Sequence, residues 1–320
     1  MDLLRSVPLF ALRRGPIREV VVHGAVAMGR GRTMFSTAPD AVVIARSLLK
    51  PWQFLNCGIL ADQLPWLMAI ASHSGQPEHV AALGELSAFT GVDIDGLQCP
   101  RAWPMDAAEA ERLRAEGASQ SKRYHPCAGK HLAHMVASRR DGLHTDYLAP
   151  AHPLQQRLVA SLDEHLRDAH QWVTDSCGLP TLACTMADHV RLWQELASAT
   201  HEPARRLREM WRSNATLVGG RGRLDTLLTQ ASRSYVLAKE GADGLLAVQS
   251  LAREDDRNTV MIKLAHGYNA SHLGLALLSL LRQHADLFSE GFLELRLALE
   301  DASVSWVPAG QTFEPLSLAF

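Results

Sequence analysis

Ser47 and Lys50 stand three positions apart in Arg46-Ser47-Leu48-Leu49-Lys50-Pro51, and Ser72-His73-Ser74-Gly75 follows downstream. A serine hydroxyl is a weak nucleophile at neutral pH and needs a neighbouring base to take its proton. A neutral lysine amine can serve, and on a helix this spacing brings both side chains to one face. Unperturbed lysine titrates near ~10.4, so Lys50 must be buried, or crowded by a second cation, before it can accept a proton. The spacing alone is uninformative, because about one Ser-x-x-Lys arises by chance in a chain of this length. Ser119 and Lys122 form another, in a polar stretch after a charged helix that reads as a loop.

Other residues carry chemistry only in company. Lys239, in Ala238-Lys239-Glu240-Gly241-Ala242-Asp243-Gly244, is either a surface lysine before a turn or a second cation that lowers the pKa of Lys50. Ser72-His73-Ser74 by itself reads as a polar loop ending a buried strand at Trp66 to Ala71. Cys127 and Lys130 lie in His125-Pro126-Cys127-Ala128-Gly129-Lys130-His131, and Cys177 in Thr174-Asp175-Ser176-Cys177-Gly178-Leu179-Pro180. Two thiolates and a nitrogen are a zinc-binding donor set. The spacing matches no common zinc-finger pattern, lysine must lose a proton to bind, and buried apolar thiols are the ordinary alternative. Asp175 can pair with a substrate ammonium or cap a helix. His131 and His134, three apart, suit packing or hydrogen bonding better than metal binding.

The elements that must position these residues are legible in outline. Val20-Val21-Val22 and Val26, a turn at Gly29 to Gly31, and Thr33 to Ser36 read as a hairpin. Helical spacing begins at Ser47, with Leu48, Trp52, Leu55 and Ile59, and Pro51 is tolerable only in the first turn. It resumes at Val80, Leu83, Leu86 and Phe89, in the charged stretch Asp106 to Glu116, and from Pro153 to Ala169. Strand patterns return at Gly244 to Val248 and Thr259 to Leu264, before an apolar helix at Leu273 to Leu281 that must be covered on both sides. These patterns predict an α+β fold: one antiparallel sheet from both termini (residues 1–45 and 235–320), flanking helices, and a mainly helical lobe (46–234). The site is expected between them.

Composition narrows the function. The chain has 320 residues, 47% of them apolar, enough for a large core. Lys plus Arg number 32 against 34 Asp plus Glu, so no excess positive charge favours nucleic acid. The basic run Gly219-Gly220-Arg221-Gly222-Arg223 lacks the ending of a phosphate-binding loop and reads as a turn. No apolar run reaches the ~20 residues of a membrane-spanning helix. Met1-Asp2-Leu3-Leu4-Arg5 does not suit a secretory signal, and 5 scattered cysteines, an odd count, suit a reducing cytoplasm.

Taken in order, Arg46-Ser47-x-x-Lys50-Pro51-x-Gln53, Ser72-His73-Ser74-Gly75, Cys127-x-Gly129-Lys130-His131, Asp175-x-Cys177-x-Leu179-Pro180 and Lys239-x-Gly241-Ala242 resemble the L-asparaginase II family, the rhizobial-type class 3 asparaginases. Val22 to Val26 and Gly222 to Thr226 are similar to the family as well. The resemblance implies a fold similar to glutaminases and serine β-lactamases, in a homodimer. It implies that Ser47 attacks the side-chain amide of L-asparagine with Lys50 as base, while Ser72 and Lys239 form a second serine-lysine pair that relays protons. It further implies zinc on Cys127, Lys130 and Cys177, and substrate contacts from Arg46, His131 and Asp175. The sequence departs from the family pattern at Gln76, usually glutamate, at Ala128, usually a small hydroxyl residue, and at Ser176, usually glycine. Loss of a carboxylate at Gln76 is expected to alter which polar group the pocket accepts. The alternatives are a related hydrolase or cyclase of another small amide or lactam, and a degenerate family member that binds without catalysis.

Overall fold

The computed structural model describes residues 6–232, 235–251, 257–285, 288 and 290–318, so the leader reading of Met1 to Arg5 falls outside the described residues. In chain order the strands are β1 (Val7–Arg14), β2 (Ile17–Arg30), β3 (Thr33–Ser36), β4 (Val42–Ile44), β5 (Gln171–Thr174), β6 (Pro180–Thr185), β7 (Val236–Gly241), β8 (Leu245–Ser250), β9 (Asn258–Leu264) and β10 (Thr312–Pro315). The helices are α1 (Lys50–Asn56), α2 (Pro77–Thr90), α3 (Ala107–Ala115), α4 (Ala128–Arg140), α5 (Pro153–Asp163), α6 (Met186–Ser198), α7 (Glu202–Ser213), α8 (Ala215–Val218), α9 (Leu224–Ala231), α10 (Ala270–Gln283) and α11 (Glu290–Trp306).

The main sheet has the order β10-β1-β2-β9-β8-β7, with β3 also paired to β2, and its pairings are antiparallel. It is built from the two ends of the chain, and the fold is α+β as the hydrophobic patterns predict. Every residue of β7 and β8 is buried, because helices cover both faces of the sheet. On one face α9, α10 and α11 join the strands in a core that includes Val26, Val248, Ile262, Leu275 and Phe292. On the other, α6 packs against β2, β8 and β9. Leu273 to Leu281 are buried all round α10, which lies between α11 and the sheet. Gly274 permits this close approach, since a Cβ there would meet the Trp306 ring at 2.3 Å.

Three local expectations change. Trp66 to Ala71, expected as a buried strand, is buried but begins within a 3-10 helix at Leu64–Ala69. Pro65 at its start suits a first helical turn, and a short continuous apolar run has no periodicity to distinguish helix from strand. The helix expected from Pro153 to Ala169 stops at Asp163, which leaves Leu166 half-buried after its end. The middle of the chain also contains strands: β4, β6 and β5 form a second, three-stranded sheet. β6 is buried throughout and its backbone continues the pairing to the Ser47 segment, Ala45 N donating to Leu182 O at 2.7 Å.

Candidate active site

Ser47 lies in a single 3-10 turn, Arg46–Leu49, that runs along β7 at the sheet edge and continues directly into α1. Leu48 and Leu49 anchor this turn in the core, and Pro51 occupies the first turn of α1 where no amide hydrogen is needed. The turn forms one wall of a cavity of about 320 Å³, with Ser72, Cys127, Asp175, Arg223 and the Glu240–Asp243 segment among the other lining residues. Ser72 to Ser74 run as extended backbone against the end of α8, Ser72 N donating to Val218 O at 2.9 Å and Ser74 N to Gly219 O at 3.0 Å.

Two buried lysines converge on one hydroxyl. Lys50 Nζ is 3.0 Å from Ser72 Oγ and Lys239 Nζ, from the middle of β7, is 2.9 Å from the same oxygen; both lysines are 0% exposed. Lys50 Nζ also donates to Ala71 O and, at 3.1 Å, to Pro126 O. A neutral amine has two N–H groups and one lone pair, so these two carbonyls use its hydrogens and leave the lone pair for the Ser72 hydroxyl proton. Burial lowers the Lys50 pKa, with Lys130 adding to the effect while Cys127 and Cys177 oppose it. Lys239 is brought down to about 7, chiefly by burial, with Lys50 and Arg223 pushing the same way and Asp225 opposing. Removal from water thus does more to Lys50 than a second cation does. Ser47 is half-buried and lines the cavity, but among the described residues its hydroxyl makes no hydrogen bond. The second Ser-x-x-Lys stays apart: Lys122 Nζ holds Asp95 O at 2.8 Å and Leu97 O, tying down a loop.

At the mouth, Arg46 Nε lies 2.7 Å from Asp175 Oδ1, Nη1 lies 2.6 Å from Asp243 Oδ2, and Nη2 donates to Ser176 Oγ at 2.8 Å. Arg46 takes a left-handed backbone, φ 50°, a conformation that costs a side-chain-bearing residue about 1–2 kcal/mol. Deeper in, Arg223 Nε donates to Glu240 Oε2 at 2.9 Å and Tyr268 Oη to Glu240 Oε1 at 2.7 Å. Asp225, also buried, lies 3.7 Å from Lys239 Nζ and accepts from Glu240 N at 3.2 Å. Burial and the Asp225 charge raise the Glu240 pKa; Asp225 stays low despite its own burial because Lys239 and Arg223 face it.

The sequence of residues 10–305 matches the family model for L-asparaginase II. The chain belongs to the L-asparaginase II family. No curated protein sequence matches it. Among solved structures it is similar to a β-lactamase from Desulfarculus baarsii DSM 2075 at 13% identity, over 90% of this chain and 93% of that one. The TM-score is 0.29, too low for the likeness to bear on the site.

The departures from the L-asparaginase II pattern sort by where they fall. Gln76 does not line the cavity, contrary to its expected effect on the pocket. It caps α2: its Oε1 accepts from Arg221 N at 2.9 Å, and its Nε2 donates to Asp106 Oδ2 at 2.8 Å and Arg221 O at 3.3 Å. An amide there gives Asp106 a donor, which a glutamate carboxylate would not. Ala128 is 0% exposed and opens α4. Ser176 alone of the three reaches the cavity, through its bond to Arg46.

The expected metal donors are buried: Cys127, Lys130 and Cys177 are 7%, 1% and 3% exposed. Gly129 lets α4 start against the Leu64–Ala69 helix, since a Cβ there would sit 2.1 Å from Met68 O. A hydrogen bond from the Cys177 thiol holds Cys127 well below an ordinary thiol, helped by Lys50 and Lys130. Cys177 is correspondingly pushed up by Cys127 and by burial. Burial works against the Lys130 charge, yet Cys177, Cys127 and Asp175 raise its pKa. Among the described residues no group of three or more His, Cys, Asp or Glu side chains is placed to hold a metal, so a metal here depends on Lys130. Two sulfurs and a nitrogen fit zinc in kind and in the number it keeps when a fourth position is open; the downward shift of Cys127 favours the thiolate that zinc binds, while Lys130, whose pKa is raised, must release its proton to join it. His131 does not line the cavity; its Nδ1 lies 3.1 Å from Tyr147 Oη, and its ring packs against that of His125, which does.

The residue spacing assigns no role to Asp225, Glu240, Tyr268 or Asp243. Asp225 lies in a segment similar to the family, and Glu240 and Asp243 closely follow Lys239, but Tyr268 carries no local signal.

Proposed function

We propose that this chain hydrolyses the side-chain amide of L-asparagine to L-aspartate and ammonia. The observation that supports this reading most is the convergence of two buried amines on Ser72 Oγ, at 3.0 and 2.9 Å, in a cavity shared with Ser47. Ser47 Oγ attacks the amide carbon and its proton passes to Lys50, whose lone pair, engaged by the Ser72 hydroxyl in the resting site, is the one position on the amine that no carbonyl uses. Ser72 bridges Lys50 and Lys239 and carries the proton between them, so that the leaving nitrogen departs as ammonia. Water then opens the β-aspartyl ester by the same route in reverse. Asp175 suits the α-ammonium and Arg46 the α-carboxylate of the substrate.

Cys127, Lys130 and Cys177 would hold a zinc ion at the cavity wall. When bound, the ion supplies fixed positive charge beside the reacting groups. The homodimer is proposed on the family resemblance, and light scattering after size exclusion tests it.

A coupled ammonia assay with L-asparagine and L-glutamine tests the reaction. Release from L-asparagine that disappears in Ser47→Ala is the expected result; no ammonia from either substrate, at high enzyme with zinc present, overturns it. A second reading makes Ser72 the nucleophile, because Ser72 and not Ser47 holds the hydrogen bonds to both amines. It predicts that an ester forms on Ser72 and that Ser47→Ala retains the capacity to form it.

A further inference from the structure

The charged groups at the cavity mouth are already paired with each other, and the pairs differ in how readily they give way. Arg46 is shared between Asp175 at 2.7 Å, whose side chain is 6% exposed, and Asp243 at 2.6 Å, whose side chain is 63% exposed. Ser176 N and Arg46 Nε both address Asp175 Oδ1, and among the described residues no hydrogen bond reaches Oδ2. Asp243 sits in the tight turn between β7 and β8 with φ 62°, a conformation that Asp and Asn tolerate better than most residues. Lys263 fixes that turn by donating to Asp243 O and Leu264 O. The carboxylate of Asp243 is therefore an exposed group on a fixed backbone, resting on the guanidinium that faces the substrate.

Given hydrolysis of L-asparagine at this site, we propose that Asp243 is a specificity residue that recognises the α-ammonium of the substrate. A substrate carboxylate that binds Arg46 must displace a resident acceptor, and the exposed Asp243 contact yields before the buried Asp175 contact. In an α-amino acid the ammonium and the carboxylate share one carbon. A carboxylate seated on Arg46 Nη1 thus brings its ammonium against the displaced Asp243 and the open oxygen of Asp175. Asp243 exchanges a guanidinium for an ammonium, and its negative charge keeps a cationic partner throughout. The substrate class this selects is a zwitterionic α-amino acid amide over the same amide without the amino group. Ser176, the family departure that reaches the cavity, fixes the third guanidinium contact and holds Arg46 in place during the exchange.

The test compares L-asparagine with succinamate, its analogue lacking the α-amino group, in the wild type and in Asp243→Asn. Asn suits the same turn conformation, so the variant removes charge while keeping the backbone. The ratio of kcat/KM for L-asparagine over succinamate should fall about tenfold, mostly through KM for L-asparagine. In parallel, thermal shifts with L-aspartate and succinate read recognition without turnover, and the wild-type preference for L-aspartate should vanish in the variant. A ratio unchanged in Asp243→Asn when the wild type does hydrolyse L-asparagine, or an equal loss for both substrates, overturns the role of Asp243 and leaves the reaction standing. A wild type stabilised by L-aspartate over succinate that releases no ammonia overturns the reaction, and the thermal shifts of the variant then decide the role of Asp243. A wild type that binds neither product analogue overturns both.

Discussion

Lys239→Met is the perturbation that most directly exposes the cost of holding an amine in the core. Lys239 is 0% exposed in the central run of β7, and its pKa is brought from 10.5 to about 7, chiefly by burial. Between those two pH values the unfolded chain binds a proton at this position that the folded chain does not. Stability must therefore rise with pH across the window, by up to about 1.4 kcal/mol per pH unit from this group alone. Below pH 7 the penalty is present in full; it is lost as pH rises toward 10.5. Integrated over the window it reaches on the order of 5 kcal/mol. Methionine fills a similar volume and does not titrate. Urea unfolding of wild type and Lys239→Met at pH 7, 8, 9 and 10 measures the difference. The two proteins should converge in stability as pH rises, with the variant relatively most stable at pH 7. Parallel stability curves would refute the argument, because they would mean that Lys239 keeps its ordinary charge in the fold.

Other expectations rest on single contacts. Gln76→Glu sets a carboxylate against Asp106, 2.8 Å from the present amide nitrogen, and should destabilise the protein by about 1 kcal/mol. Its ratio of L-asparagine to L-glutamine turnover should stay the same, since Gln76 does not line the cavity; a changed ratio contradicts this placement. Gly129→Ala drives a methyl group to 2.1 Å from Met68 O, and a lowering of Tm by roughly 3 to 10 °C is expected in calorimetry. For the metal, elemental analysis of protein purified without added zinc should show zinc in the wild type and much less in Cys127→Ser. Equal content in both refutes the site.

The sequence made the sheet legible where its strands are buried on both faces: β8 and β9 announce themselves as continuous apolar runs, and the turn at Gly31 closes the hairpin of β2 and β3. It misled at Leu64–Ala69, where the same kind of run folds as a 3-10 helix because proline starts it. The Ser47 and Lys50 pair was visible, and the family resemblance set Ser72 with Lys239, but residue spacing alone did not show that Lys50 shares that hydroxyl. Lys50 turns to Ser72, and Lys239 meets it there from β7, a pairing set by how the sheet edge lies against the Arg46–Leu49 turn that leads into α1. Glu240, Asp225 and Tyr268 join only through strand and loop packing, which local spacing does not encode. Gln76 shows the opposite hazard: a residue in a recognisable motif, changed in kind, that serves a helix cap and not the cavity.

Which hydroxyl the two lysines serve decides the mechanism. An acid-quenched single turnover with L-asparagine, followed by peptide mapping by mass spectrometry, tests it most directly. The expected result is an aspartyl ester on the peptide that contains Ser47, absent in Ser47→Ala. An ester on Ser72 instead, or ammonia release with no covalent species in either peptide, would contradict it.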